Sequence, residues 1–146
     1  MSENVRFVPV PSLSEVVEYA YAASIEMPTR LILTAGACPL DEEGGTVCPG
    51  DPVGQAHQVM TNLEKALAAS GSGLAEVVRT TVYVASGRQD DLVAVWEVVR
   101  DRFDGHRPPS TLLGVAALGY RDQLVEVEAV AVARRAPHRE RPGPTG

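Results

Sequence analysis

Between Asp51 and Phe103 the hydrophobic period of the chain switches twice, from that of a helix to that of a strand and back. That order of periods restricts the fold more than any other feature. In DPVGQAHQVMTNLEKALAASG, Asp51 suits an N-cap, Pro52 the first helical position and Gly71 the end. Val53, Ala56, Met60, Leu63 and Leu67 recur at helical spacing, which predicts an amphipathic helix. EVVRTTVYVAS then sets Val78, Thr80, Val82 and Val84 against Arg79, Thr81 and Tyr83, the pattern of a strand with two unlike faces. The helical period returns at Leu92, Val95, Trp96, Val99 and Phe103, with Asp90 or Asp91 placed to cap it. By this spacing Trp96 reads as a core residue.

The flanks supply the rest of the sheet. RFVPV, YAYAAS and RLILTAGA read as strands before the first helix, and STLLGVAAL and QLVEVEAVAVA, joined by GYRD, as strands after the second. The order is β-β-β-α-β-α-β-β, an α+β fold with six strands and two helices on one face. One domain over residues 1–133 is expected, followed by a mobile Pro- and Arg-rich tail over 134–146.

Two helices cover one side of such a sheet. On the last strand Val125, Val127, Ala129 and Ala131 suit the helix side, leaving Leu124, Glu126, Glu128 and Val130 on the other with Arg79, Thr81 and Tyr83. That face is too mixed for a core and too apolar for plain solvent, so an oligomer built on it is expected. Glu128 is assigned a structural role, paired with Arg79 or Arg134.

Composition narrows the function. A formal net charge of -6 argues against a broad nucleic-acid surface and directs attention to small molecules. No apolar run approaches the ~20 residues of a spanning helix, and MSENVRFVPV lacks a basic start followed by an apolar core, so the expectation is a cytoplasmic protein without membrane contact. Cys38 and Cys48 form no CxxC, and His57, His106 and His138 stand far apart, so no metal site is read; Cys38 reads as a small buried residue.

LILTAGACPLD, NLEKALAASGSGLAEVVRTTVYV, and GVAAL with VEVEAVAV together resemble the reactive intermediate deaminase family, RidA or YjgF, formerly named as endoribonucleases. The resemblance runs from about Tyr19 to Val132. It implies a chorismate-mutase-like α+β fold and a homotrimer with clefts between subunits. It also implies hydrolysis of reactive enamines and imines to 2-oxo acids and ammonia, without a cofactor. In that chemistry an arginine on the penultimate strand clamps the substrate carboxylate, and a carboxylate on the last strand holds the attacking water.

Carried over residue by residue, Glu126 matches the water-holding acid, Tyr19 the cleft tyrosine with Tyr21 as a substitute, and Gly36 the glycine beside the cleft. The arginine position falls on Ser110, the cleft asparagine on Trp96, and a cysteine two residues past the arginine on Leu112. A serine cannot neutralise a carboxylate, so classical imino-acid deamination is expected to be weak or absent. Arg107, behind Pro108 and Pro109, is a replacement cation at the cleft mouth; Arg79 and Arg121 are further candidates. Three readings follow. One is a divergent deaminase-like hydrolase with Glu126 and Ser110 as its working groups and Tyr19, Gly36, Trp96 and Arg107 around the substrate. Another is a biosynthetic dehydratase, tautomerase or cyclase reusing the cleft. The third is a non-catalytic trimer that binds a small ligand. Ribonuclease activity is disfavoured, because basic residues are not interleaved with stacking aromatics.

Overall fold

A computed structural model describes residues 1–134. The basic tail from Arg135 onward, with His138, lies outside the described residues. The elements run β1 (Val5–Val8), β2 (Ala22–Ile25), β3 (Leu31–Leu33), α1 (Pro52–Ala69), a 3-10 turn (Leu74–Glu76), β4 (Val77–Val84), α2 (Gln89–Arg102), β5 (Ser110–Gly114) and β6 (Val125–Val132). The fold class and element order are those expected. Hydrogen bonding divides the six strands into a mixed sheet in the order β3-β6-β4-β5 and a separate β1-β2 hairpin. β4 and β5 run parallel, as a crossover through α2 allows, while β6 is antiparallel to both β3 and β4.

Local chemistry explains α1. The Asp51 carboxylate accepts from the Gly54 N–H at 3.0 Å, and Pro52 follows at the first helical position. At the other end Gly71 has φ +76°, the Ser72 N–H returns to the Leu67 carbonyl at 2.9 Å and the Gly71 N–H to Ala68 at 3.1 Å, a Schellman closure. The buried stripe is Gln55, Ala56, Val59, Met60, Leu63 and Leu67. Val53, expected in that stripe, is exposed. Gln55 is buried instead because its amide bonds the Cys48 and Asp122 carbonyls and accepts from the Leu124 N–H, tying the helix start to two loops.

α2 starts earlier than its aspartates suggested. Arg88 is the N-cap and offers no side-chain cap; Ser86 accepts from the Arg88 N–H and donates to Asp91, which with Asp90 sits in the first turn beside the positive helix end.

The core lies between the helices and the sheet. Met60, Leu63 and Leu67 of α1 and Val95 and Val99 of α2 pack on Val82, Val84, Val125, Val127 and Ala131. Removing one such side chain costs roughly 2–5 kcal/mol, so this layer holds β6 and β4 in place. The alternation of β4 fails at one residue. Val77 pairs with Ala131 and Arg79 with Val130, leaving Val78 in a bulge that turns it away from the helices. Val78 joins Val5 and Val132 in a second cluster that seats the β1-β2 hairpin. Among the described residues no helix is long and apolar enough to cross a membrane.

Candidate functional site

The outer face of β6 carries the first group of side chains. Glu126 stands opposite Tyr83 and Glu128 opposite Thr81, all half-buried. After β3 the chain stays beside β6. The Thr34 N–H bonds the Ala129 carbonyl at 3.0 Å, and Ala37 and Val127 exchange bonds of 2.7 and 3.2 Å. This pairing lays the bare backbone of Gly36 against the Glu126 carboxylate: a Cβ there would overlap Oε1 and stand 2.7 Å from Cγ. Oε2 is held from the other side by the Gln123 amide at 3.3 Å. Gln123 is buried and fully engaged, since its amide also donates to the Val125 carbonyl at 3.1 Å and accepts from the Tyr120 N–H at 3.0 Å. The carboxylate is thereby fixed with one oxygen bonded and the other against Gly36.

Cys38 completes this group. Burial, and then the negative charge of Glu126, push its thiol above the usual cysteine range, so it is a neutral thiol rather than a nucleophilic thiolate. Gly36 and Cys38 line a cavity of about 430 Å³ that Asn62, Leu63 and Tyr120 also border. Glu128 pairs with neither Arg79 nor Arg134: the Tyr83 hydroxyl donates to it at 2.8 Å, and that bond holds the Tyr83 hydroxyl above its usual range. Arg79 reaches Thr111 at 3.4 Å instead, while Arg134 pairs with Glu76 at 3.5 Å. The Arg121 carbonyl accepts from Thr46.

A second group gathers on the helix side, at the opposite edge. Ser110 opens β5 opposite Thr80, and its hydroxyl lies 2.7 Å from the Thr80 hydroxyl and 3.0 Å from the Pro108 carbonyl. Thr80 is fully buried on the helix face, so Ser110 and Glu126 point to opposite faces of the sheet. Ser110 lines a pocket of about 350 Å³ with Trp96, Arg100, His106, Arg107 and Glu18. Trp96 packs its ring edge on the core and donates its indole N–H to Glu18 at 2.8 Å, while Arg100 bonds the same carboxylate at 2.8 Å. The Trp96 and Arg100 bonds hold Glu18 below the usual carboxylate range. Tyr19, the next residue, lines a neighbouring cavity of about 430 Å³ together with Tyr21 and Arg107, and the Ala20 N–H bonds the Arg107 carbonyl at 2.8 Å. His106 braces this corner: its Nε2 lies 2.7 Å from the Val77 carbonyl, which can only accept, so that nitrogen carries the proton, and its ring touches Phe7 and Phe103.

The expected site residues therefore fall into two sets. Gly36 and Glu126 meet; Tyr19, Trp96, Ser110 and Arg107 collect around two adjoining pockets elsewhere; and the Gly36 cavity shares no lining residue with the Tyr19 cavity.

Residues 13–133 match the family model described as Endoribonuclease L-PSP. The chain belongs to this family, the Rid or YjgF family. A mouse Rid relative named 2-iminobutanoate/2-iminopropanoate deaminase is 33% identical over 132 residues, which are 90% of this chain and 95% of the relative. The protein DfrA of Myxococcus xanthus is 35% identical over 115 residues, 79% of this chain and 85% of that one. Among solved structures, the Rid-family protein YyfB of Yersinia pestis, described as of unknown function, superposes with a TM-score of 0.81 at 27% identity, covering 88% of this chain and 98% of that one.

Within this Rid chain, four side chains that order the two sets escaped the sequence reading: Gln123, Gln55, Glu18 and Arg100. Gln123 carried a signal, being a polar residue at the threshold of an apolar strand where burial demands partners. Glu18 and Arg100 are 82 residues apart, and no local pattern links them.

Proposed function

We propose that this Rid-family protein hydrolyses reactive imines or enamines derived from amino acids, adding water across C=N and releasing a 2-oxo acid and ammonia, in a cleft completed by a neighbouring subunit of a homotrimer. Glu126 holds and deprotonates the attacking water; Gly36 leaves room for the Glu126 carboxylate to take that position; Tyr19, Trp96 and Arg107 bind the substrate from the other set. Ser110, with its hydroxyl already between Thr80 and Pro108, forms wall rather than clamp.

The observation that carries this reading is the Glu126 carboxylate fixed between the Gln123 amide and the bare Gly36 backbone. A general base needs a defined position more than any other property, and a half-buried acid with one oxygen bonded and the other against the Gly36 backbone has it. The separation of Glu126 from Arg107 within one chain, with the Glu18 carboxylate beside Arg107 already bonded by Trp96 and Arg100, favours a subunit-shared cleft. The deaminase name of the mouse relative agrees with the same reaction class.

Ser110 supports a second reading. Without a guanidinium there, the cleft suits dehydration, tautomerisation or cyclisation of a less acidic intermediate, or ligand binding without turnover. Release of 2-oxo acid from freshly generated imino acids, by wild type and Glu126→Gln, separates them. Hydrolysis by the wild type with a loss of at least ~100-fold in Glu126→Gln is expected. Absence of acceleration by the wild type across small and aromatic substrates removes the hydrolase reading.

A further inference from the structure

The cavity under the N-terminal arm has a composition of its own. Phe7, Val10, Val17, Tyr19 and Tyr21 are part of its wall, and the polar groups on it are few. The Tyr21 hydroxyl is committed to the Ser14 carbonyl at 2.8 Å, and the Tyr19 and Tyr21 rings stand edge to face with centroids 5.8 Å apart, so the pair presents ring surface inward. Glu15 borders the cavity from an exposed position on the arm and makes no ion pair with Arg107.

Arg107 is the cation of this cavity, and it also borders the polar pocket next door. Among the described residues, ion pairs engage Arg100, Arg102 and Arg134 but not Arg107. The neighbouring carboxylate is already spoken for: Glu18 is bonded by Arg100 and Trp96, and Arg100 is bonded in turn by Asp101 at 2.9 Å. The arm thus bonds its own acid to a different arginine and leaves Arg107 without an ion pair at the edge of the apolar cavity, with the Glu18 charge still near enough to act on it. Pro108 and Pro109 hold the backbone there extended, and the Arg107 carbonyl is fixed by the Ala20 N–H, so the backbone that carries the guanidinium is held at the rim.

An apolar cavity of this size with one unpaired planar cation fits an amphipathic anion. We propose that it seats a monocarboxylate with a branched or aromatic body, the carboxylate on Arg107 and the body against Phe7, Val10 and Tyr19. As a statement of substrate class it rests on the hydrolase reading, and then the substrate is a 2-imino acid with a bulky apolar side chain rather than a three- or four-carbon one. Arg107 is a binding group in this scheme and supplies the cation that Ser110 lacks.

Calorimetric titration of the full chain with 4-methyl-2-oxopentanoate and phenylacetate, against pyruvate and phenethylamine, tests it. The two bulky acids are expected to bind at least ~10-fold more tightly than pyruvate, and the amine not to compete. Arg107→Met is expected to weaken the bulky acids by ~10- to 100-fold, the range for losing a charge-assisted bond. Val10→Asp puts a negative charge on the same lining and is expected to weaken them as well; both positions are on the surface arm and rim, and a circular-dichroism melt confirms that each variant folds. Binding unchanged within twofold in Arg107→Met, equal affinity for pyruvate, tight binding of the amine, or no binding of either acid overturns the proposal. Glu126→Gln separates it from the reaction. If that variant binds the acids as the wild type does while no imino acid is hydrolysed by either, the hydrolase reading fails and the acid site stands. Hydrolysis by the wild type with acid binding indifferent to Arg107 gives the reverse.

Discussion

Replacing Gly36 by alanine should disable the proposed hydrolysis while sparing the fold. The backbone at Gly36 is outside the left-handed region, so alanine adds no conformational strain, and the atoms nearest its Cβ all belong to the Glu126 side chain. Cγ would stand 2.7 Å from the new carbon against the ~3.5 Å of an ordinary carbon contact, so the carboxylate has to swing to another rotamer. That swing costs ~0.5–1.5 kcal/mol, and the loss of the Gln123 contact another ~1 kcal/mol, offset by ~0.4–1 kcal/mol because alanine leaves the unfolded chain less freedom. The net is roughly 0.5–2 kcal/mol, a fall in Tm of a few degrees at this chain length. Moving a general base by about an ångström costs ~100-fold in rate. The pair of measurements is a thermal melt and 2-oxo acid release from freshly generated imino acids. A Gly36→Ala protein that keeps the wild-type kcat refutes the reasoning, because the Glu126 position would then not matter; one that fails to fold refutes the local account of the clash.

Other consequences are equally direct. Gln123→Leu removes donors from the Val125 carbonyl and Glu126 and an acceptor from the Tyr120 N–H inside a buried site, so it should destabilise the protein by ~1–3 kcal/mol and lower kcat, measured by urea unfolding and turnover. Iodoacetamide at neutral pH should label exposed Cys48 well before Cys38, whose thiol is held above its usual range by burial and the Glu126 charge; mass spectrometry showing Cys38 labelled first contradicts that picture. Glu18 has a folded-state pKa below its ordinary value of 4.5, so its contribution to stability is fully present above that value and is lost as pH falls through the lower folded-state value. The emission of Trp96, the single tryptophan, should therefore hold through the ordinary carboxylate range and change only below it, and Glu18→Gln should abolish that step.

How far the sequence reached depends on the range of the interactions concerned. Both helices, the β4 alternation and the inward set Val125, Val127, Ala129 and Ala131 follow from period and caps, which act within a few residues. The failures have long-range causes. Val78 left its predicted face because Val5 and Val132 offered it a second apolar cluster, and a bulge in β4 was cheaper than leaving that cluster without a lid. Val53 yielded its inward place to Gln55 because two loops, ending near Cys48 and Asp122, needed their carbonyls bonded. The division of six strands into four and two follows from the same hairpin cluster, which seats β1 and β2 by side-chain packing rather than by hydrogen bonds to the larger sheet.

The site shows the same contrast at the level of charge. Glu126 drew attention because an acid between valines on an inward-packed strand demands a reason, and Gly36 through its resemblance to the family's cleft glycine; that the two meet is legible only in the structure. The fate of the cations was not legible, since it is decided by which carboxylate each one finds. Arg100 finds Glu18 and Asp101, Arg102 finds Glu64, Arg134 finds Glu76, and Arg107 finds none among the described residues. Each exposed pair contributes little, under ~1 kcal/mol, so the pairing matters less for stability than for which guanidinium it leaves free. With Ser110 tied to Thr80 and facing away from Glu126, the proposed cleft requires a second copy to bring its Arg107 rim to the Gly36–Glu126 wall of the first. That arrangement makes a direct demand on activity: mixing an inactive Glu126→Gln chain with an inactive Arg107→Met chain, unfolded and refolded together, should restore turnover in the mixed assemblies, since one shared cleft then contains both wild-type residues. Restoration absent from mixed assemblies confirmed by mass would place the base and the cation in the same subunit's cleft and sink the shared site.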